Sequence, residues 1–294
     1  MKAILKAFSA VLLFTVAVLG FYVPRYIFSD AKITPSEKTD DTMTIMSTNV
    51  RCYEPFSLFK ESWFYRADLI AEDIKGVQPD IIGFQEATSI QYGYLKRIMN
   101  GYDSEMAYRD NYILSEGCPI FYRTDRFEKI DGGSFWLSET PDVMSKDWGS
   151  KHYRICVYVV LRDRTSNKEF AIFNTHLDHT SDQARINEIG VILKKIAELG
   201  DIPTYLIGDM NAKENSKTIK ATRRDFDDAM KISEITESTP TYHNWGDTKR
   251  AKRIDYILIS KDDALVYEYG VVDNLHGDTY SSDHASIFVK TKLK

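Results

Sequence analysis

The sequence predicts an α/β fold in which two β-sheets form the core and helices flank them. Beyond residue 43, short runs rich in β-branched and aromatic residues outnumber helical patterns, and most neighbouring runs have no helix between them. A doubly wound parallel sheet would need a helix after nearly every strand, whereas a two-sheet core does not. The composition, with 43% hydrophobic and 28% charged residues, is typical of a globular protein.

The predicted strands are short apolar runs bounded by polar or turn-forming residues. In chain order they cover residues 44–50, 80–84, 120–122, 157–161, 170–173, 204–207, 254–259 and 285–289. Two other segments have apolar residues at helical spacing. The first, residues 66–75, should end near Gly76, and the second, residues 181–199, should take Gly200 as its C-cap.

The N-terminal segment differs from the rest of the chain. Lys2 and Lys6 precede an uncharged stretch, residues 7–23, which has no small-residue cleavage site after it. The stretch is typical of a secretory signal and is nearly long enough to span a membrane, whereas a buried core helix fits it less well. We predict a signal peptide or membrane anchor over residues 1–23, so that the protein is exported, and it contacts the membrane if the segment is uncleaved.

The remaining chain reads as a polar linker followed by one domain. Residues 24–42 carry prolines, serine and paired aspartates, and residues 43–294 contain no second linker or repeat. We expect a monomer. The net charge of −5 does not favour a protein that holds duplex nucleic acid by neutralising phosphates, but it does not exclude a local basic patch. Cys52, Cys118 and Cys156 have no zinc-binding spacing, and the last two are predicted to be buried thiols.

Acidic, amide and histidine side chains stand at the ends of the predicted strands. In chain order they are Glu86, His176, Asp209, Asn211, Asp255, Asp283 and His284. A polar residue at such a position is exposed at the rim of a sheet while its strand is buried, and α/β folds bind ligands at these rims. The pattern therefore predicts one shared active site.

Each of these signals is weak when taken alone, because single surface carboxylates and Gly-Asp-x-Asn turns are common. Their recurrence at the edges of several apolar runs gives them weight. Asp209 and Asn211 should point to the same side, because alternate residues of an extended chain share a face. His284 with an aspartate elsewhere would suit the pairing in which a carboxylate fixes the imidazole tautomer.

In order and wording these segments resemble the endonuclease/exonuclease/phosphatase superfamily over about residues 43–291. The matching segments are STNVR (47–51), PDIIGFQEA (79–87), FNTHLDH (173–179), GDMNA (208–212), RIDYIL (253–258) and SSDH (281–284). GSFWLSETPD (133–142) and the arginine Arg154 resemble a bacterial, often exported branch. The resemblance implies a four-layer α/β/β/α sandwich of two mixed β-sheets flanked by helices.

The resemblance also implies that the protein hydrolyses phosphate esters with a divalent metal. Glu86, Asn49 and Asp283 would hold Mg²⁺, with Mn²⁺ as an alternative cofactor. Arg154, His176 and Asn211 would bind the phosphate. His176, Asp209, Asn211, Asp255 and His284 would be the catalytic residues.

Within that implied set, Asp209 would orient or deprotonate the attacking water, and Asp255 would orient His284. Asp209 and His284 are both eligible as the general base. Carboxylate and amide oxygens are the ligands that Mg²⁺ prefers. Phosphate hydrolysis in turn needs a cation on the non-bridging oxygens and a positioned water.

The sequence departs from the family pattern at a few positions. Ser281 replaces a usual proline, and GDMN replaces the commoner GDFN, but neither change alters an acid, amide or imidazole. Gly149 follows Trp148 where the branch often has aspartate, which weakens a binding role for that loop. Asp178 and His179 are weaker site candidates, and His179 is expected either to support a site residue from behind or to be structural.

The fold and catalytic residues do not define the substrate, which could be nucleic acid, phospholipid or a small organic phosphate. An exported nuclease and a sphingomyelinase-like phosphodiesterase are the alternatives; KRIDYIL (252–258) disfavours an inositol polyphosphate 5-phosphatase. The loop aromatics Trp136, Tyr242, His243 and Trp245 could stack on bases or simply pack. A binding module that has lost catalysis should show gaps in the set of site residues, and the sequence has none.

Overall fold

The computed structural model describes residues 2–37, 41–57 and 59–294. Met1 and residues 38–40, which fall in the predicted leader and linker, lie outside the described residues. The strands are β1 (Met43–Asn49), β2 (Ile81–Gln85), β3 (Tyr102–Glu105), β4 (Ile120–Arg123), β5 (Phe127–Trp136), β6 (Ile155–Asp163), β7 (Glu169–His176), β8 (Thr204–Asp209), β9 (Phe226–Asp228), β10 (Ile235–Thr236), β11 (Asp255–Ser260), β12 (Ala264–Val271), β13 (Leu275–His276), β14 (Thr279–Tyr280) and β15 (Ile287–Leu293). The helices are α1 (Lys2–Ile27), α2 (Trp63–Val77), α3 (Ser89–Ile98), α4 (Asp182–Glu198), α5 (Lys217–Thr222) and α6 (Ala229–Ile232), with a 3₁₀ turn at Phe59–Glu61.

Most strands belong to two large mixed sheets. The first has the order β10-β12-β15-β1-β2-β4-β3, and the second has the order β5-β6-β7-β8-β11-β9. The pairs β1/β2, β10/β12 and β7/β8 are parallel, and the other pairs are antiparallel. β13 and β14 form a separate hairpin.

The main core lies between the facing sheets, because alternate residues of each strand point inward. Ile45 and Ile81 of the first sheet belong to the same buried cluster as Ile172 and Ile207 of the second. Side chains of α2 and α3 cover the outer face of the first sheet, and side chains of α4 and α5 cover that of the second. This arrangement confirms the predicted four-layer α/β/β/α sandwich.

The helix ends follow from local sequence signals. Ser181 is the N-cap of α4, and its hydroxyl accepts a hydrogen bond from the Ala184 amide at 3.1 Å. α2 runs past the predicted end at Gly76, and Gln78 adopts the left-handed conformation with φ 52° before Pro79 stops the helix. α3 was not predicted, although Thr88 and Gln91 form the capping box that marks its start.

The N-terminal helix has two environments. Near its start, Phe8 and Leu13 are each 70% exposed, whereas the ring of Tyr26 near its end packs on Phe64 and Tyr94 of α2 and α3. None of the helices among the described residues is both long and apolar enough to cross a membrane. A signal peptide or membrane anchor over residues 1–23 stays a prediction.

The described part of the predicted linker, residues 24–42, is packed against the domain. α1 continues to Ile27, and Ile33 is fully buried and donates a backbone hydrogen bond to Ile98 at 2.7 Å. Arg123 donates to the Ser36 carbonyl at 2.9 Å. The apolar side chain of Ile33 explains the docking, and the domain boundary at residue 43 stays a prediction.

Candidate active site

The ends of β1 and β2 form one half of the site. The two strands run parallel with Asn49 opposite Gln85, so Asn49 and Glu86 emerge side by side. The Asn49 side-chain amide donates to Glu86 Oε1 at 3.0 Å. An amide and a carboxylate therefore meet at the rim of the first sheet.

The backbone of Glu86 is strained. Its φ of 62° lies in the left-handed region, which costs a residue with a side chain about 1–2 kcal/mol. The next residue, Ala87, exchanges two backbone hydrogen bonds with Gly117, at 2.9 and 3.1 Å, and these hold the turn. Backbone strain that the surrounding structure maintains is concentrated at functional sites.

Arg51 places a positive charge among the acidic side chains. Its guanidinium lies 3.6 Å from Glu86 Oε2 and 3.9 Å from Asp283 Oδ2. Burial opposes ionisation of Glu86, but the neighbouring His176 imidazole, Arg51 and hydrogen bonds from Cys52 and Asn49 outweigh it and lower the pKa of Glu86. Burial raises the pKa of Asp283. Glu86 is thus the more firmly ionised of the two carboxylates.

The second sheet supplies the other half of the site. In the parallel pair β7/β8, His176 lies opposite Asp209. In the antiparallel pair β8/β11, Asp255 lies opposite the same Asp209. The register therefore aligns three predicted site residues in one row across the strand ends.

His284 forms a charged pair with Asp255. Its Nδ1 lies 3.0 and 3.2 Å from the two Asp255 carboxylate oxygens, and the Thr241 hydroxyl donates to the same carboxylate at 2.5 Å. Burial alone would lower the pKa of His284, but the charge and hydrogen bond of Asp255 raise it to about 10. Asp255 therefore fixes the tautomer of His284 and favours its protonated form.

Asp209 joins the two halves. Its Oδ2 accepts a hydrogen bond from Asn49 at 3.2 Å and lies 3.6 Å from His176 Nε2 and 3.8 Å from His284 Nε2. Burial, reinforced by the charge of Asp255, raises the pKa of Asp209 to about 7. A carboxyl group with this pKa can exchange a proton near neutral pH.

His176 and Asn211 flank Asp209 along its own sheet. Burial lowers the pKa of His176 well below its usual value, and its Nδ1 has no hydrogen-bond partner among the described residues. Asn211 has a φ of 46°, and its side-chain amide donates to the Leu177 carbonyl at 3.0 Å. A neutral imidazole and a fixed amide thus lie beside the central carboxylate.

These side chains surround an open cavity of about 630 Å³. The sequence-predicted residues that line it are Glu86, Arg154, His176, Asp209, Asn211, Asp283 and His284. Asn49 and Asp255 lie behind this layer, where they contact Glu86 and His284 respectively. The structure therefore brings all the predicted site residues together.

Arg154 lies just ahead of β6 at one side of the cavity. Its guanidinium lies 3.2 Å from His179 Nδ1, and the ring of His179 stacks on that of His152 at 5.5 Å. His179 also lines the cavity, where its contact with Arg154 fits the supporting place that was one of the two expected for it. Asp178 instead shapes the loop, because it accepts backbone hydrogen bonds from Ser181 at 2.8 Å and from residue 151 at 2.9 Å.

Arg66 of α2 ties the site loops together from behind. It is fully buried, and its guanidinium donates to the carbonyls of Val50, Arg51, Glu61 and Ser281 at 2.5–3.2 Å. Burial lowers the pKa of Arg66 to about 10, which leaves it charged at neutral pH. One side chain thus links the loop after β1 to the loop that carries Asp283 and His284.

The sequence profile of the Endonuclease/Exonuclease/phosphatase family matches residues 46–284, which include every predicted site residue. The chain belongs to this family. Enzymes of the endonuclease/exonuclease/phosphatase family hydrolyse phosphate esters and use divalent metals.

Two solved structures and one curated relative illustrate the relationship. A family member from Bacteroides thetaiotaomicron is 30% identical with a TM-score of 0.79, over 85% of this chain and 97% of that chain. A mannosyl-6-phosphatase from the same species is 29% identical with a TM-score of 0.78, over 85% and 99%. The CCR4-Not complex 3′-5′-exoribonuclease subunit Ccr4 of Aspergillus oryzae is 24% identical over 208 residues, which are 60% of this chain and 27% of that protein. The chain spans less than two thirds of the length of the curated relatives it matches.

Sequence reasoning missed several residues of this family member's cavity. Arg109 and Glu116 line it, although the sequence had marked only the strand after them. Of the loop aromatics, Tyr242 and Trp245 line the cavity, whereas Trp136 and His243 are not among its lining residues. The only available signal for Glu116 was a charged residue just ahead of an apolar run, which one sequence cannot distinguish from an ordinary surface glutamate.

Proposed function

We propose that this protein is a divalent-metal-dependent phosphoesterase that hydrolyses its substrate by attack of water. The observation that carries the proposal is the convergence of two pairs, Asn49–Glu86 and Asp255–His284, on the shared carboxylate of Asp209. Phosphate hydrolysis needs both a cation site and a place for the proton of the attacking water.

The residues present fit a hard divalent cation. Glu86 and Asn49 converge at 3.0 Å, and Arg51 already lies between Glu86 and Asp283, so these side chains form an anionic group that attracts a cation. Glu86, Asn49 and Asp283 would hold Mg²⁺ or Mn²⁺, because such ions prefer oxygen ligands. A cation bound there would offset the charge on the non-bridging phosphate oxygens.

A second acidic group is better suited to handling protons. Asp209, Asp255 and His284 offer ligand atoms within 4.8 Å of one another. The Nδ1 of His284 lies at hydrogen-bond distance from Asp255, so a proton satisfies this pair without a metal. We therefore assign these residues to proton transfer and charge stabilisation.

Between the two eligible bases, we propose Asp209. Its pKa near 7 leaves it partly ionised at neutral pH, whereas the pKa of His284 near 10 keeps that imidazole protonated. Asp209 would take the proton of the attacking water, and protonated His284 would stabilise the charge that develops on the phosphate. His176, Asn211 and Arg154 would contact the phosphate oxygens.

The test is hydrolysis of p-nitrophenyl phosphate and bis-p-nitrophenyl phosphate with Mg²⁺ or Mn²⁺, with and without a chelator. We expect activity that the chelator abolishes and that Glu86→Gln lowers by about 10²-fold or more. Lys217→Gln, on the surface helix α5 outside the cavity lining, is the control. Full activity in the presence of chelator, or in Glu86→Gln, would contradict the proposal.

A nuclease is the second candidate. Tyr242 and Trp245 line the cavity, and aromatic rings at such positions stack on bases in proteins that bind single strands. The exoribonuclease activity named for Ccr4 agrees with this alternative. A panel of plasmid DNA, RNA, sphingomyelin vesicles and sugar phosphates separates a nuclease from a lipid phosphodiesterase and from an enzyme for small esters.

We also propose that the catalytic domain works outside the cytoplasm. Support comes from Lys2 and Lys6 ahead of the uncharged residues 7–23, and from the exposed apolar side chains near the start of α1. Fractionation of bacterial cells that express the full chain should place the protein in the exported or membrane fraction. Recovery in the cytosolic fraction alone would contradict this localisation.

A further inference from the structure

An ion pair forms a section of the cavity wall that the proposed phosphate chemistry does not use. Arg109 Nη1 and Glu116 Oε2 are 2.7 Å apart, and both residues line the cavity. Their side chains are only 13% and 17% exposed. The pair therefore lies inside the binding space rather than on the outer surface.

The pair is held rigidly by its own loop. The Arg109 amide donates to the Glu116 carbonyl at 3.0 Å, and the indole of Trp136 donates to the Arg109 carbonyl at 2.9 Å. Gly117 is bound to Ala87, and a Cβ at Gly117 would lie 2.4 Å from the carbonyl oxygen of residue 107. Because Ala87 directly follows Glu86, the loop fixes Glu116 next to the proposed metal ligand.

A carboxylate at this position repels the phosphate of a substrate, so we infer that Glu116 contacts a different part of the substrate. Arg109 offsets its charge, but the oxygens of Glu116 remain hydrogen-bond acceptors and the guanidinium remains a donor. Hydroxyl groups both donate and accept, so neighbouring hydroxyls match such a pair. The carboxylate of Glu116 would repel a further phosphate of a polynucleotide at this section of the wall, although Lys151 and Lys252 also line the cavity.

We propose that Glu116 and Arg109 bind hydroxyl groups of the leaving alcohol, so that the substrate is a small polyhydroxylated phosphate ester such as a sugar or polyol phosphate. This inference rests on the proposed phosphoesterase function and adds the substrate class and the residues that select it. Glu116 and Arg109 then determine specificity, and the chemistry at phosphorus stays with the strand-end residues.

The experiment compares an ester with hydroxyls in its leaving group and one without them. Mannose 6-phosphate, glucose 6-phosphate and sorbitol 6-phosphate are measured beside p-nitrophenyl phosphate, each with Mg²⁺. For the best of the three polyol phosphates, Glu116→Gln should lower kcat/KM about 10- to 100-fold, because a charge-assisted hydrogen bond is lost. For p-nitrophenyl phosphate the change should stay below about threefold, since its leaving group makes no such bond.

A matched variant and a second readout support the comparison. Glu105→Gln removes a carboxylate that is paired with Lys129 and is not among the cavity-lining residues. This variant should leave kcat/KM unchanged for both kinds of substrate. The free sugar of the best substrate should inhibit p-nitrophenyl phosphate hydrolysis competitively in the wild type and much less in Glu116→Gln. If Glu116→Gln does not fold, Glu116→Asp keeps the charge but shortens its reach, and the same discrimination between substrates is expected.

Several results would overturn the inference. Equal losses on both kinds of substrate would place Glu116 at the phosphate or metal end, and no loss on either would remove it from substrate binding. A wild type that cleaves p-nitrophenyl esters but none of the polyol phosphates would overturn the substrate class and leave the proposed function intact. A wild type that cleaves no ester at all would overturn both.

Discussion

The two histidines of the active site face the same carboxylate but differ in charge. His176 Nε2 lies 3.6 Å from Asp209 Oδ2, and His284 Nε2 lies 3.8 Å from it. Both imidazoles are buried, and burial lowers the pKa of each. The pKa of His176 stays well below its usual value, whereas Asp255 raises that of His284 to about 10.

The difference originates at the second nitrogen of each ring. Nδ1 of His284 faces Asp255 at 3.0 Å, whereas Nδ1 of His176 has no hydrogen-bond partner among the described residues. A buried charge is stable only when a partner compensates for lost hydration. One carboxylate therefore decides which imidazole is protonated at neutral pH, and the two histidines cannot exchange roles.

Replacing the two histidines one at a time should give the largest effects on kcat and should show that their roles differ. His284→Ala removes the charged imidazole, and we expect kcat to fall about 10³-fold or more. His176→Ala removes a neutral hydrogen-bonding group, and we expect a fall of about 10- to 10²-fold. The measurement is kcat for the best p-nitrophenyl ester at saturating Mg²⁺. Equal losses in the two variants would contradict the division of roles.

Asp255→Asn should convert the His284 environment into one like that of His176. Without that carboxylate, burial is opposed only by the smaller effects of Asp209 and Asp283, so the pKa of His284 should fall well below about 10. The protonated form is then lost at lower pH, and the alkaline limb of the kcat profile should shift to lower pH. We expect activity at pH 8 to fall about 10²-fold. An unchanged alkaline limb in Asp255→Asn would show that His284 does not act as a cation.

Arg66 variants should disturb the His284 side selectively. The guanidinium holds the Ser281 carbonyl at 2.5 Å, and Ser281 lies in the loop that carries His284, whereas His176 ends a strand of the other sheet. We expect Arg66→Lys to lower kcat about tenfold, because an ammonium cannot reach several carbonyls in the same plane. Imidazole NMR signals of His284 should shift, and those of His176 should not. A shift of both to the same extent would indicate general loosening.

The smallest predicted effect is a change in stability on substitution of Glu188, which lies in helix α4 behind the strand that carries His176. It is fully buried in α4, it accepts a hydrogen bond from the Asp178 amide at 2.8 Å, and burial raises its pKa from 4.5 to about 7. A raised carboxyl pKa means that the folded state binds more protons, so stability falls as pH rises from about 4.5 to about 7. Glu188→Gln should remove this loss and stabilise the protein at pH 8 by about 1–2 kcal/mol.

Thermal unfolding of wild type and Glu188→Gln at pH 5 and pH 8 measures this effect. The stabilisation should be larger at pH 8 than at pH 5, because the wild-type carboxyl is mostly protonated at the lower pH. An equal difference at both values would show that the carboxyl does not titrate as assigned. The catalytic activity of this variant should stay at the wild-type level, since neither His176 nor His284 contacts Glu188.

Much of the active site could be predicted because its residues occupy strand ends. Asp209 follows an apolar run, and the alternation of side chains in that run is visible in the sequence. Asn174 shows the limit of this reasoning. Its amide donates to the carbonyl of Phe84 at 2.8 Å, and its oxygen accepts from Gln85 at 2.7 Å, so that it joins the two sheets. Nothing local distinguishes it from any asparagine in a strand.

The sequence alone determined the central strands, two of the flanking helices and most of the polar residues at the rim, because these depend on short-range periodicity. Tertiary structure decided which residues meet. Asp255 and His284 are 29 residues apart, and Arg66 and Ser281 are 215 residues apart. The charge on His284 arises from burial and from its distant partner Asp255, and Glu116 reaches the cavity because the adjacent Gly117 is bound to Ala87. The pattern of apolar runs contains neither, because the electrostatic environment of a side chain exists only once the sheets have packed together.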